Sequence, residues 1–201
     1  MTGEAAVALP TVARLPDALE IRPISPDDKQ ALLDGFERLS DESRYRRFLS
    51  PHDKLSDAEL RYFTNVDHHD HEALVAIDPA SREGVGVARY IRSPSDPHSA
   101  ELAVAVLDDW QRQGVGTRLA TALADRAREE GITTLTGLVL ADNELMLNLA
   151  REIGDARVVH RERGTVEIAI ELPDQGPGRL SRLLRAVAAG ELIPFPAHHG
   201  R

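Results

Sequence analysis

Gln111-Arg112-Gln113-Gly114-Val115-Gly116-Thr117-Arg118 lies between an alternating apolar run and a helical one, and its spacing suits the grip of a phosphate. Upstream, residues 100–106 alternate with the period of a strand. Downstream, Val115, Leu119, Ala122, Leu123 and Ala127 recur at helical spacing until Gly131. A strand therefore feeds a glycine-containing turn that opens a helix. The first N–H groups of such a helix lack intrahelical partners, and its aligned peptide dipoles favour negative charge there. Gly114 and Gly116, without Cβ, let a bulky anion approach the backbone. A nucleotide P-loop would need Gly-Lys-Ser/Thr, and Gly116 is followed by Thr117-Arg118. A dinucleotide fold would need a third glycine where Leu119 stands and an acid near Thr134.

Other chemistry-bearing stretches read more plainly. His68-His69-Asp70-His71-Glu72 is histidine-rich but lacks a regular helical HxxxH spacing, so it reads as a polar loop and no metal is expected. No Gly-x-Ser-x-Gly elbow accompanies the serines. With no cysteine, a cysteinyl acyl intermediate, disulfides and cysteine metal sites are excluded. The net charge of −9 argues against nucleic acid as a partner, and means that a polyanion must be held by local donors such as Arg112 and Arg118. No apolar run approaches the ~20 residues that span a bilayer, and residues 1–4 lack a secretory pattern, so the expected compartment is the cytoplasm, with no membrane partner.

The elements that must position the turn follow from the patterning. Residues 1–18 read as a mobile leader. Residues 19–24 alternate as a first strand, and Ser25-Pro26-Asp27-Asp28 starts a helix with Leu32, Leu33, Phe36 and Leu39 inward. Short helices are expected over 42–49 and, behind the capping box Ser56-x-x-Glu59, to about Asn65. Strands over 73–77 and 84–92 pair through a turn-rich link. After the glycine-turn helix come a strand over 135–140, a helix over 143–153, and a hairpin over 156–160 and 165–170. Residues 19–173 thus read as one domain. Residues 174–201 read as a linker and an amphipathic tail with Leu180, Leu183, Leu184 and Val187 on one face, suited to packing on the domain or on a second subunit of a homodimer.

The order of elements and Gln111-x-x-Gly114-x-Gly116 resemble the GNAT acetyltransferase superfamily over roughly residues 19–171. Leu39-Ser40-Asp41-Glu42-Ser43-Arg44-Tyr45-Arg46-Arg47-Phe48, with the strands near 73–76, 86–90 and 100–104 and Asn143-x-x-Met146-x-x-Leu149, is similar to bacterial protein lysine acetyltransferases that act on acyl-CoA synthetases. The resemblance implies an α/β (α+β) GNAT fold: a mixed, mostly antiparallel twisted sheet of about six to seven strands with about four helices. It implies acetyl-CoA as co-substrate and an amine acceptor, a protein lysine first, with small amines, protein N-termini or a non-catalytic acyl-CoA-binding role as alternatives.

By resemblance, Glu101 is the general base. Its plainer reading is a solvent-facing carboxylate at a strand end. The alternation puts Leu102, Val104 and Val106 on one face and Glu101, Ala103 and Ala105 on the other, where small side chains leave room for a slender arm or acyl group. That arm would pair with backbone near Val104, Ala105 and Val106, as an added strand. The diphosphate would lie on Gln111, Arg112, Gln113, Gly114, Val115, Gly116, Thr117 and Arg118. Asn143 reads as an N-cap and, by resemblance, as a contact to the pantetheine or acetyl group. Tyr45, Arg46 and Arg47 fall where the family forms its acceptor groove. Where many family members carry a tyrosine acid, seven positions after the asparagine, this chain has Ala150.

Overall fold

A computed structural model describes residues 19–173. The expected leader, linker and amphipathic tail lie outside the described residues. Seven strands form one sheet in the order β1-β2-β3-β4-β5-β7-β6. They are β1 (Glu20–Pro23), β2 (His71–Ile77), β3 (Gly84–Ser93), β4 (Asp96–Val106), β5 (Thr134–Leu140), β6 (Asp155–Glu162) and β7 (Thr165–Glu171). Every neighbouring pair is antiparallel except β4 with β5.

Among the described residues five α-helices accompany the sheet: α1 (Lys29–Arg38), α2 (Asp41–Phe48), α3 (Asp57–Thr64), α4 (Val115–Glu129) and α5 (Glu144–Ile153). Each answers to a helix read from the sequence, and the break between the first two has a local cause: the Ser40 hydroxyl accepts from the Ser43 N–H and starts α2 afresh, directly after α1 ends at Leu39. The capping box over Ser56 and Glu59 forms as the sequence predicts, each side chain taking up the other's N–H.

The periodic stripe of α4 decides which face of the sheet it covers. Leu119, Ala120, Leu123, Ala124 and Ala127 are buried with Ala88, Tyr90 and Leu102. Gly86 permits this close approach, since a Cβ there would stand 3.0 Å from the Leu119 Cδ1 and 3.1 Å from the Ala105 carbonyl. The opposite face carries α1 and α3, whose Phe36 and Leu60 form another cluster with Leu55, which precedes α3. The histidine-rich segment enters β2 as structure. His68 Nδ1 meets the buried Glu72 carboxylate at 2.7 Å, and Arg126 of α4 donates to the same carboxylate. Among the described residues no group of three acids or histidines is arranged to hold a metal, and no helix is long and apolar enough to cross a membrane.

What positions the site is the parting of β4 from β5. Their parallel pairing lasts only from Ser99↔Thr134 to Glu101↔Thr136, after which β5 continues with β7 alone. Beyond Glu101, β4 therefore has a neighbour on one side only.

Candidate active site

In an antiparallel ladder, the main-chain groups of successive residues point to alternate edges. A Cβ on Gly137 of β5 would lie 3.5 Å from the Leu102 carbonyl, so Leu102 faces the β5 side. The Val106 carbonyl accepts from the Gln111 side chain at 3.1 Å on that same edge. Val104 shares their parity, and its N–H and C=O therefore face the gap that β5 has left. The gap widens into a cleft of about 630 Å³.

The cleft brings together Glu101, Val104, Ala105 and Val106 of β4 with Gln111, Arg112, Gly114, Gly116 and Thr117 of the following turn. Asn143 and α2's Arg46 and Arg47 complete the set. Gly114, at φ 79°, ends the turn in the left-handed region, which suits glycine. Arg112 reaches the same region at φ 58°. The first N–H to bond within α4 is that of Arg118, to the Gly114 carbonyl. The N–H groups of Val115, Gly116 and Thr117 precede it and have no intrahelical carbonyl to meet.

Other side chains take different directions from those the sequence suggests. The Arg118 guanidinium donates to the Leu19 carbonyl at 3.3 Å and does not line the cleft, because its place on the first turn of α4 faces β1. Val115 is buried in the core, and Gln113 donates to the Asp109 carbonyl, so neither side chain lines the cleft. Gln111 bridges the Val106 carbonyl and the Ser43 hydroxyl, holding the turn in shape. Tyr45 is exposed on α2 away from the cleft. Asn143 caps α5 through its Oδ1, which accepts from the Met146 N–H at 3.2 Å. Ala150 is buried, so α5 presents no acid from that position.

Glu101 is exposed at the far end of the cleft from the turn. Arg47 is the cation whose field it meets. Burial pushes the Arg47 guanidinium below its ordinary pKa, and Glu101 opposes that shift.

Three cleft residues escape sequence reasoning. Ser43 donates to Asp108 at 2.8 Å, and Ser40 adds its N–H and hydroxyl to the same carboxylate, joining α2 to the end of β4. Glu152 of α5 accepts from the Thr117 hydroxyl at 2.7 Å, an acid beside the anion-binding turn. Leu138 of β5 forms part of the opposite wall and is exposed. Ser40 and Ser43 stand 68 and 65 residues from Asp108, beyond the reach of any local pattern.

Residues 34–154 match the model of the acetyltransferase (GNAT) family. The chain belongs to this family. As a GNAT chain it is 32% identical over 165 residues to acetyltransferase Pat of Mycolicibacterium smegmatis, an alignment covering 82% of this chain and 49% of that protein. It thus spans about half the length of that relative. Acetyltransferase PA5475 of Pseudomonas aeruginosa is 30% identical over 153 residues, covering 70% of this chain and 81% of that protein. The crystal structure of the GNAT domain of S. lividans PAT superposes with a TM-score of 0.69 at 31% identity, covering 77% of this chain and 90% of that one. The seven-stranded sheet, parted between β4 and β5, is the GNAT fold as this chain builds it.

Proposed function

We propose that the chain transfers an acetyl group from acetyl-CoA to a primary amine, a protein lysine ε-amine first among acceptors, by direct attack in a ternary complex. The observation that carries this reading is the open edge at Val104, lying between the 111–117 turn at one end and Glu101 at the other. The residues fit such a ligand. Val104 offers strand-like pairing to an extended arm. The three free N–H groups of α4, with Arg112 beside them, suit a diphosphate.

Acetyl-CoA would supply a thioester carbonyl and a thiolate, which leaves readily. An amine with an unperturbed pKa of ~10.4 arrives protonated and needs a base. Glu101 takes that proton, directly or through a water, as the amine nitrogen bonds to the acyl carbon. With alanine at position 150, the sulfur departs without an acid from that position. The compartment proposed is the cytoplasm.

The test is incubation with acetyl-CoA and a panel of lysine proteins, peptides and small amines, scored by free thiol. Release that depends on a lysine acceptor supports the reading. Release no faster than hydrolysis across the whole panel would sink it and leave a non-catalytic acyl-CoA-binding module.

A further inference from the structure

On the α1–α3 side of the sheet, next to the cleft, lies a smaller chamber of about 90 Å³. Its walls are mainly apolar, with Leu32, Phe36, Leu55, Val75 and Val87 among them. Two guanidinium-bearing side chains also line it: Arg47 from α2 and Arg89 from β3. Leu39, Arg47, Phe48 and Ala105 line both spaces, so the chamber and the cleft share a wall.

Arg89 is only 4% exposed and pairs in register with Ala103, two residues beyond Glu101. It donates to His71 Nε2 at 3.0 Å and to the Phe63 carbonyl at 3.3 Å, and its Cζ lies 4.4 Å from the Phe63 ring centre. None of these partners is an anion. Burial, and then the Arg89 charge, hold His71 at a pKa of about 4, so it is neutral at pH 7. Arg47 lies over the Phe48 ring at 4.9 Å. Glu101 is the acid whose charge it feels, and the Arg47 charge in turn depresses Arg89 after burial has done so. Among the described residues neither arginine forms an ion pair with an acid. Asp28 also lines the chamber, but Arg22 and Ser25 take up its carboxylate. Like charges held together against apolar walls cost free energy that an arriving anion would offset.

We propose that Arg47 and Arg89 form a carboxylate subsite for the acceptor, so that the amine facing Glu101 belongs to a molecule with a carboxylate a few bonds away. The inference rests on the acetyl-transfer reading, which gives the donor the open edge of β4. Arg47, on α2, belongs to the wall nearest the base and hence to the acceptor. The carboxylate has two sources of one chemistry: an acidic residue beside a lysine, or the α-carboxylate of a free amino acid. In the transfer, the acceptor nitrogen bonds to the acyl carbon and the C–S bond breaks. Glu101 receives one proton of the ammonium, the second leaves to solvent as the amide forms, the CoA thiolate is protonated from solvent, and the carboxylate stays bound and unchanged.

Paired acceptors differing only in the carboxylate test this: the blocked dipeptide amides Glu-Lys and Gln-Lys, and alanine against alaninamide. Binding is measured by calorimetry with CoA present, and turnover by thiol release. The carboxylate member of one pair should bind about tenfold tighter, as a bidentate guanidinium contact allows. In Arg47→Gln and Arg89→Lys that ratio should fall to within about twofold. The pair that shows the preference names the source. Equal binding within both pairs, or a preference unchanged in both variants, would overturn the subsite. So would a preference for succinyl-CoA over acetyl-CoA that Arg47→Gln abolishes while the acceptors stay undiscriminated, because the carboxylate would then ride on the donor. Absent turnover with a preserved binding ratio would reject the transfer reading and keep the subsite. Should Arg89→Lys fail to fold, Arg47→Gln decides alone.

Discussion

The side-chain amide of Gln111 donates to the main-chain carbonyl of Val106 at 3.1 Å, occupying the last acceptor on the open edge of β4. The same nitrogen reaches the Ser43 hydroxyl, which in turn donates to Asp108. Burial alone would raise the Asp108 carboxyl, yet the hydrogen bonds from Ser40 and Ser43 outweigh it and hold the group below the usual carboxylate range. Three elements that meet at the cleft are thus tied by one small polar network: α2, the end of β4 and the glycine turn.

Gln111→Ala removes the link without touching the turn's own N–H groups. The CoA dissociation constant should rise about three- to tenfold, in line with ~1 kcal/mol for a lost hydrogen bond. Calorimetric titration with CoA checks this. An unchanged constant would mean that the turn holds its shape unaided.

Glu101→Gln keeps the size of the side chain and removes the base. Turnover should fall by about 10²–10⁴ while CoA binding stays within about twofold, since general-base catalysis contributes on that scale. Thiol-release kinetics beside a CoA titration separate the two. Equal loss of both would place Glu101 in ligand binding.

Two glycines make opposite predictions. A Cβ on Gly154 would collide with the Glu171 carbonyl oxygen and stand 2.9 Å from Ile170 Cγ2, against strand β7 itself. Gly154→Ala should therefore destabilise by about 3 kcal/mol or more, because backbone must move. On Gly116 a Cβ would meet only Val106 Cγ2 at 3.7 Å and Leu149 Cδ1 at 3.9 Å, ordinary contacts. Gly116→Ala should keep its melting temperature and weaken CoA about tenfold by filling the approach to the N–H groups. Thermal melts and titrations on both variants read the contrast.

Glu152 places an acid beside the turn, held by the Thr117 hydroxyl. Removing that charge in Glu152→Gln should tighten CoA about two- to fivefold at low salt, on the scale of an exposed charge interaction. The gain should shrink as salt screens it. Titrations at two ionic strengths check both parts.

His71 supplies a pH signature. Burial and Arg89 lower its pKa from 6.5 to about 4, so between those values the unfolded chain binds the extra proton and the folded one does not. Stability must then rise with pH across this window and be lost as pH falls through it. Urea melts from pH 7 to pH 4 should show this slope, and His71→Gln should flatten it. An unaltered slope in the variant would assign the effect to other groups.

The local pieces of the site were legible because each obeys a short-range rule. The strand-to-helix turn at 111–117, the Ser56–Glu59 box and the Asn143 cap all sit where periodicity and capping chemistry put them. The alternation of β4 also sorts correctly: Val106 meets α4's side near Gly116, and Ala105 lines the chamber under α1 and α3. The destinations of long side chains were not legible. Arg118 has the right type and position for a phosphate contact, yet it turns to Leu19, 99 residues away.

From the order of its residues alone, the chain determines a strand, a bare turn and a helix whose first amides face outward, because dihedral preference and side-chain period act within a few residues. Tertiary structure alone decided that β5 should leave β4 after Glu101, and that Arg47 and Arg89, 42 positions apart, should meet behind it. Strand divergence and the meeting of like charges depend on sheet twist and on which helix covers which face, and these are settled by packing over the whole domain.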